Sequence, residues 1–231
     1  MIEVEWWDYD DADERVEAVA GDIRFLIESS LEARGDAVVA LSAEDRALAV
    51  LDRLKAEKLR WKHVTIVPTD DRLVSVEDAL SNARALAERF LPLGARVLPL
   101  TGGNLGVADA GQAADARLQA IHWPLDLILL EVGPTGSAAS LYPGPDLEAA
   151  LSAPHRAIGL TPDPMPADAA VARVTLTKSA VLAARSILIS LQGMPARQML
   201  EQAIVDAAAS PTPIGRLLAD AQQAIDIHWC P

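Results

Sequence analysis

Basic residues are scarce in this 231-residue chain: 20 Lys and Arg stand against 33 Asp and Glu, a formal net charge of −13. That deficit argues against nucleic acid or an anionic membrane as a partner, because both are ordinarily held by a basic surface. A small anionic ligand stays open, since a few converging arginines outweigh the global field at short range. Cysteine is scarcer still. Cys230 stands alone, so neither an internal disulfide nor a cysteine-based metal cluster can form. No apolar run is long enough to cross a bilayer. The start, with Glu3, Glu5 and Trp6, has no basic region leading into an apolar stretch, so a cytoplasmic protein without a secretory signal is expected. Aromatics make up 4% of residues against 51% hydrophobic in total, which leaves Val, Ile, Leu and Ala to build the core. Such a core suits a parallel sheet covered by helices. The four histidines, His63, His122, His155 and His228, show no short ligand spacing, so no metal site is expected.

What is present alternates between two periods. Val16, Val19, Ile23, Ile27 and Leu31 recur at three and four, predicting a helix over 13–34 with Asp11 and Glu14 at its start and Gly35 as its stop. Short strands are predicted at 37–41, 64–67, 97–100, 125–130, 171–177 and 187–191, with helices at 77–91, up to about residue 120, at 196–208 and at 214–224. Residues 102–106 read as a Gly/Asn loop, and Pro162, Pro164 and Pro166 mark another. Residues 225–229 are expected to close an edge of the sheet. Alternation of strand and helix without a long linker predicts one α/β domain over 1–231, a three-layer, mostly parallel sheet with helices on both faces.

Ligands of such folds bind beyond the carboxyl ends of the strands. Two segments there carry chemistry. Thr69, Asp70, Asp71 and Arg72 follow a strand: the carboxylates could orient water or sugar hydroxyls, and Arg72 could hold phosphate, with Ser81, Asn82 and Arg84 adding to an anion site. The ordinary alternative is a solvated turn with a local ion pair. Residues 133–140 follow the clearest buried strand, where Gly133 and Gly136 permit backbone N–H groups to face an anion. Ser137 and Ser140 lie in no recognised nucleophile elbow, so hydrogen bonding or helix capping is their expected role. Arg173, Arg185, Arg197 and Lys178 near later strand ends are either ligand contacts or partners of the abundant acids.

In this order the motifs resemble the 6-phosphogluconolactonase family, whose fold is related to glucosamine-6-phosphate isomerases and deaminases. Asp70, Asp71 and Arg72 look like its strand ending in Asp, Glu, Arg; Ser81, Asn82 and Arg84 match the following Ser, Asn, x, Arg. Gly133, Gly136, Ala139, Ser140, Leu141, Tyr142, Pro143 and Gly144 keep the frame of its glycine-rich catalytic segment. Arg173, Thr175 and Thr177 resemble its Arg, x, Thr, x, Thr strand, and Gly193 fits a later loop. The resemblance implies hydrolysis of 6-phosphogluconolactone in the pentose phosphate pathway, without metal or organic cofactor. It also implies a sugar-phosphate ligand held by Arg72, Asn82, Arg84, Gly133, Gly136, Arg173 and Arg197.

Departures fall on the chemistry. Ala43, Glu44, Asp45 and Arg46 stand where the family has a Gly, Gly, Ser, Thr phosphate loop, and the two carboxylates would repel phosphate. Thr135 replaces an Asp, Ser137 takes the catalytic histidine position, Ala196 takes a phosphate-contacting lysine position, and Glu131 replaces a glycine. Serine is a poor base near neutral pH without an activating partner. The expectation is therefore a lactonase-like protein with impaired catalysis and a retained role in binding a sugar phosphate or a protein partner. The alternative is an active lactonase with a rearranged base drawn from Asp70, Asp71 or Glu131.

Overall fold

The computed structural model describes residues 2–102, 104–167 and 169–231. In chain order it contains β1 (Val4–Asp8), α1 (Ala12–Arg34), β2 (Ala37–Leu41), α2 (Leu48–Leu54), β3 (Val64–Pro68), β4 (Asp70–Arg72), α3 (Asn82–Phe90), β5 (Arg96–Val97) and α4 (Val107–Gln119). Then follow β6 (Leu127–Glu131), α5 (Pro145–Ser152), β7 (Ala157–Leu160), β8 (Arg173–Leu176), α6 (Lys178–Ala183), β9 (Ile187–Gln192), α7 (Met194–Asp206), α8 (Pro213–Leu218) and β10 (Ile225–Cys230).

Seven strands form a parallel sheet in the order β1-β10-β9-β6-β2-β3-β5. Both faces are covered, and the strand sequences show why. Val38 and Ala40 of β2 and Ile128 and Leu130 of β6 enter one apolar core, while Val39, Leu41, Leu127 and Leu129 enter the other. Continuous apolar strands of this kind can be satisfied only between two layers. Helices α1, α2 and α3 close one side through Ile23, Ile27, Leu51, Leu54, Leu86 and Phe90. Helix α1 starts on Asp11, whose side chain accepts from Glu14 N, and stops on Gly35 at φ +84°. A cap of the Asp11 type contributes about 1 kcal/mol. The architecture is thus the mostly parallel, helix-covered sheet expected, with one addition.

That addition is a second sheet, antiparallel and three-stranded, in the order β4-β8-β7. The Asp70–Arg72 segment, expected as the polar stretch just past a strand, is its first strand, and the 171–177 run belongs to it rather than to the large sheet. The short β7 escaped sequence reading because Gly159 interrupts its pattern; that glycine lets α4 lie against the strand, since a Cβ there would sit 1.9 Å from the Val107 carbonyl oxygen. Two further expectations are corrected. β10 is an interior strand, paired on both sides, and the edge is β1, whose Glu5 and Asp8 obscure its strand character. The last helix ends at Leu218, well before 224. Gly103, inside the expected 102–106 loop, lies outside the described residues. Among those described, no helix is long and apolar enough to cross a membrane.

Candidate functional site

From β2 the chain moves to β3 and β5 on one side, then returns to β6 on the other. The carboxyl ends of β6, β2 and β3 therefore flank the point where strand order reverses, the usual place for a ligand crevice. A cleft of about 280 Å3 opens there, lined by Glu44, Asp45, Arg46, Arg72, Ser137 and Tyr142. A slightly larger groove of about 340 Å3 between α4 and β7 is lined chiefly by small apolar residues and gathers no arginine. The cleft, not the groove, has convergent charge.

Arg72 and Asn82 reach this region as a unit. Arg72 Nη1 donates to Asn82 Oδ1 at 2.8 Å, and Asn82 Nδ2 donates to the Asp70 carbonyl at 2.8 Å. The amide thereby fixes the arginine at the cleft wall. Asp71 does different work. Fully buried, it accepts from the backbone N–H groups of Arg72, Asn82 and Ala83 and from the hydroxyls of Ser81 and Thr101. Its carboxylate fills the N-terminal anion seat of α3 from within the fold. Burial lifts its pKa to about 6 against the pull of those donors.

Asp70, 3% exposed, holds a loop. It accepts from Thr69 Oγ1 at 2.9 Å and from Ser140 Oγ. Ala139 and Ser140 both sit in the left-handed region, at φ 49° and 53°. That conformation costs roughly 1–2 kcal/mol per non-glycine residue. Asp70 on Ser140 and Thr175 Oγ1 on the Ala139 carbonyl offset it. Gly136, at φ +72°, serves the same loop: a Cβ would meet Thr212 Cβ at 2.6 Å, and its carbonyl receives Ile214 N.

Ser137 lies in the cleft wall with its Oγ 3.1 Å from Thr135 Oγ1. None of the four histidines lines the cleft. His228 is wholly buried on β10, its Nδ1 2.9 Å from the Tyr9 hydroxyl, and desolvation depresses its pKa to about 4. His155 lies beside Asp115 in the α4–β7 groove.

Three of the arginines expected at the site are elsewhere. Arg84 projects outward, bonded to Glu88 and to the Glu77 carbonyl. Arg173, 1% exposed, is consumed by the Val171 and Ala169 carbonyls because β8 belongs to the small sheet. Arg197 stacks over Trp6 and Trp229 and pairs with Asp8 and Glu201 at the β1 edge. Lys178 pairs with Asp220, and Arg185 lies 3.6 Å from Asp126. Each is taken up by local acids or, for Arg173, by backbone carbonyls rather than by the cleft.

In their place stands Arg46, which sequence reading counted only among the residues displacing the glycine loop. Its Nη2 donates to Glu44 Oε2 at 3.0 Å. Burial, together with the nearby Asp70 and Glu131 charges, raises Glu44 to about 7 despite Arg46 and Arg72. Beneath the cleft Glu131, 2% exposed, is raised to about 7 by burial. Arg15 of α1 lies 4.0 Å away, and the Ser190 hydroxyl bonds both side chains. The only signal for Arg46 in the sequence was an arginine two positions after an acid at a strand end.

The glucosamine-6-phosphate isomerase/6-phosphogluconolactonase family model matches residues 10–229. A 6-phosphogluconolactonase of Mesorhizobium japonicum is 29% identical over 229 residues, covering 98% of this chain and 95% of its own. One from Pseudomonas putida is 32% identical, covering 96% and 90%. The crystal structure of a 6-phosphogluconolactonase from Shewanella baltica superposes with a TM-score of 0.91 at 25% identity, over 99% of this chain and 98% of that one. With the fold, the family motifs and these likenesses in agreement, the chain belongs to the glucosamine-6-phosphate isomerase/6-phosphogluconolactonase family.

Proposed function

We propose that the cleft binds a phosphorylated sugar acid or its lactone, and that hydrolysis of the lactone is weak compared with the family's lactonases. The observation that carries this reading is the cleft's composition: Ser137 at the family's histidine position, bonded to Thr135, and no imidazole anywhere on the wall. Lactone opening needs water deprotonated and the departing alkoxide protonated. A group titrating near neutral pH contributes typically 10²–10⁴-fold to such steps. Arg72, held by Asn82, and Arg46 supply positive charge for the phosphoryl group. The test pairs 6-phosphogluconate binding by calorimetry with lactone hydrolysis corrected for spontaneous opening. Binding with feeble hydrolysis supports the reading; rapid hydrolysis at low protein concentration removes it.

One observation favours a second reading, an active lactonase with a replaced base. Of the carboxylates considered from the sequence, Asp71 is saturated with donors, Asp70 holds the Ser140 loop and Glu131 is buried beside Arg15, outside the cleft lining; Glu44, not among them, lines the cleft with its pKa near 7. On this reading Glu44→Gln would lower kcat by about 100-fold and remove the acid limb of the pH profile, while Ser137→Ala would change little. Equal activity of Glu44→Gln and the unaltered protein would rule it out.

A further inference from the structure

Arg46 rests on bare backbone. A Cβ placed on Gly133 would approach Arg46 Nη2 to 3.2 Å and Cζ and Nη1 to 3.4 Å, so the guanidinium lies close against this glycine and a side chain there would push it aside. It packs on the loop after β6 although it belongs to the loop after β2. From there it faces the cleft it shares with Arg72, Ser137 and Tyr142, with 48% of its side chain exposed. Its one ion-pair partner among the described residues is Glu44, 24% exposed, which lines the same cleft.

We propose that Arg46 is the anion-anchoring residue of this cleft and that Glu44 is an internal carboxylate seated on that anchor, exchanged for the phosphoryl group of an incoming ligand. The inference rests on the sugar-phosphate reading of the cleft and names the residue that makes it specific. In outline, the family's glycine loop presents backbone to phosphate; here a side-chain cation takes over, covered at rest by a neighbouring acid. Guanidinium pairs bidentately with carboxylate, phosphate or sulfate, and Glu44 offers it a single oxygen, so an oxyanion that accepts two parallel N–H bonds competes well.

The charges around Glu44 decide what happens when it is displaced. Asp70 from β4 and Glu131 from β6 face it with like charge; Arg46 from its own loop and Arg72 from β4 face it with opposite charge, and Asp45 lines the same cleft. A phosphoryl group on Arg46 cancels the main opposing cation and adds further negative charge. Glu44 then takes a proton from solvent, its carboxylate becoming a carboxylic acid as the anion settles. The site therefore binds anions together with a proton, and more tightly at pH 6 than at pH 8.

The experiment is isothermal calorimetry with inorganic sulfate, whose own charge is constant across this range, and with 6-phosphogluconate. Buffers of different ionisation enthalpy count the protons. The unaltered protein should bind both, taking up about half a proton per sulfate at pH 7.5, with affinity about fivefold higher at pH 6 than at pH 8. Glu44→Gln should bind more tightly at pH 8, without proton uptake. Arg46→Gln should lose about tenfold in affinity, Arg46→Lys less, and Arg84→Gln, outside the cleft, nothing. Thermal unfolding of each variant establishes that it is folded; because both side chains are partly exposed, the substitutions leave the core intact. Binding with no proton uptake, or binding that Arg46→Gln leaves unchanged, overturns the inference while leaving the sugar-phosphate reading standing. Absence of binding by the unaltered protein and by Glu44→Gln at both pH values defeats the reading and the inference together.

Discussion

Two carboxylates at neighbouring strand ends, Asp71 and Glu44, are both lifted by burial, to about 6 and about 7, yet they have opposite surroundings. Asp71 is fully enclosed and accepts five hydrogen bonds, three of them from backbone N–H groups. Glu44 borders a cleft and has an arginine that a ligand could take. The first is part of the scaffold; the second is available for exchange. A raised pKa by itself does not separate the two roles. The number and kind of donors does, because backbone donors cannot follow a departing carboxylate whereas a side-chain cation can accept a replacement.

The largest expected effect breaks the scaffold side of this contrast. Asp71→Ala leaves three buried N–H groups and two hydroxyls without their acceptor, and should cost about 3–5 kcal/mol of unfolding free energy. Urea titration monitored by circular dichroism measures it. A loss under about 1 kcal/mol would mean that the corner is not held by this carboxylate.

The pH dependence of stability comes next. The folded pKa values of Glu44 and Glu131 lie above their unfolded values, near 7 against the ordinary 4.5. The folded chain therefore holds those protons more tightly. The stabilisation is complete below the unfolded value and disappears as pH rises through about 7. Discounted for the exposure of Glu44, the two together should contribute about 1–2 kcal/mol more stability at pH 6 than at pH 8, partly offset by buried His228, whose pKa is depressed to about 4 and which therefore takes up its proton near pH 6 only in the unfolded chain. Glu131→Gln should flatten much of that slope. A slope that Glu131→Gln leaves unchanged would contradict the assignment of that group as buried and strained when ionised.

Smaller in energy but closer to the cleft is Gly133→Val. Gly133 carries no positive φ in this fold, so the backbone accepts a side chain, and the flexible Arg46 gives way. Stability should change by less than about 1 kcal/mol, while sulfate affinity falls several-fold because the guanidinium has lost its seat. Unchanged affinity would detach Arg46 from Gly133. The smallest effect is reserved for Ser137→His alone, which supplies an imidazole but leaves Glu44 and Asp45 in the cleft. Lactonase activity should barely rise. Combining it with Thr135→Asp and with Ala43→Gly, Glu44→Gly, Asp45→Ser and Arg46→Thr should exceed the sum of the separate gains on a free-energy scale. Additive behaviour would show that loop and imidazole act independently.

The central strands were legible because they are buried on both faces: β2 is a continuous apolar run and β3, β6 and β9 are largely apolar, and α1 has both its period and its stop written in Val19, Ile23, Ile27 and Gly35. Strands β1, β4 and β7 were not, since β4 and β7 are short, β1 carries exposed charged residues, and each is held by pairing with neighbours distant in sequence rather than by its own pattern. The same limit governs the site. Arg72 and Asn82 lie in a motif and come together, whereas Arg84 and Arg173 lie in motifs and are drawn away by local partners. Strand-end position says which loop an arginine occupies, not which acid or carbonyl reaches it first. Arg46 became visible only when Gly133, 87 positions further along, was found beneath it.

The most direct test sets this protein beside the Pseudomonas putida lactonase, 32% identical, and compares catalytic efficiency on freshly prepared 6-phosphogluconolactone. Both are assayed at several protein concentrations, with spontaneous opening subtracted. On the proposed reading, a cleft walled by Ser137, Glu44 and Arg46 and lacking an imidazole should be slower by about 10²–10⁴-fold. Equal efficiency, unaffected by Ser137→Ala, would contradict the account at its centre, because the altered residues would then have no bearing on the chemistry.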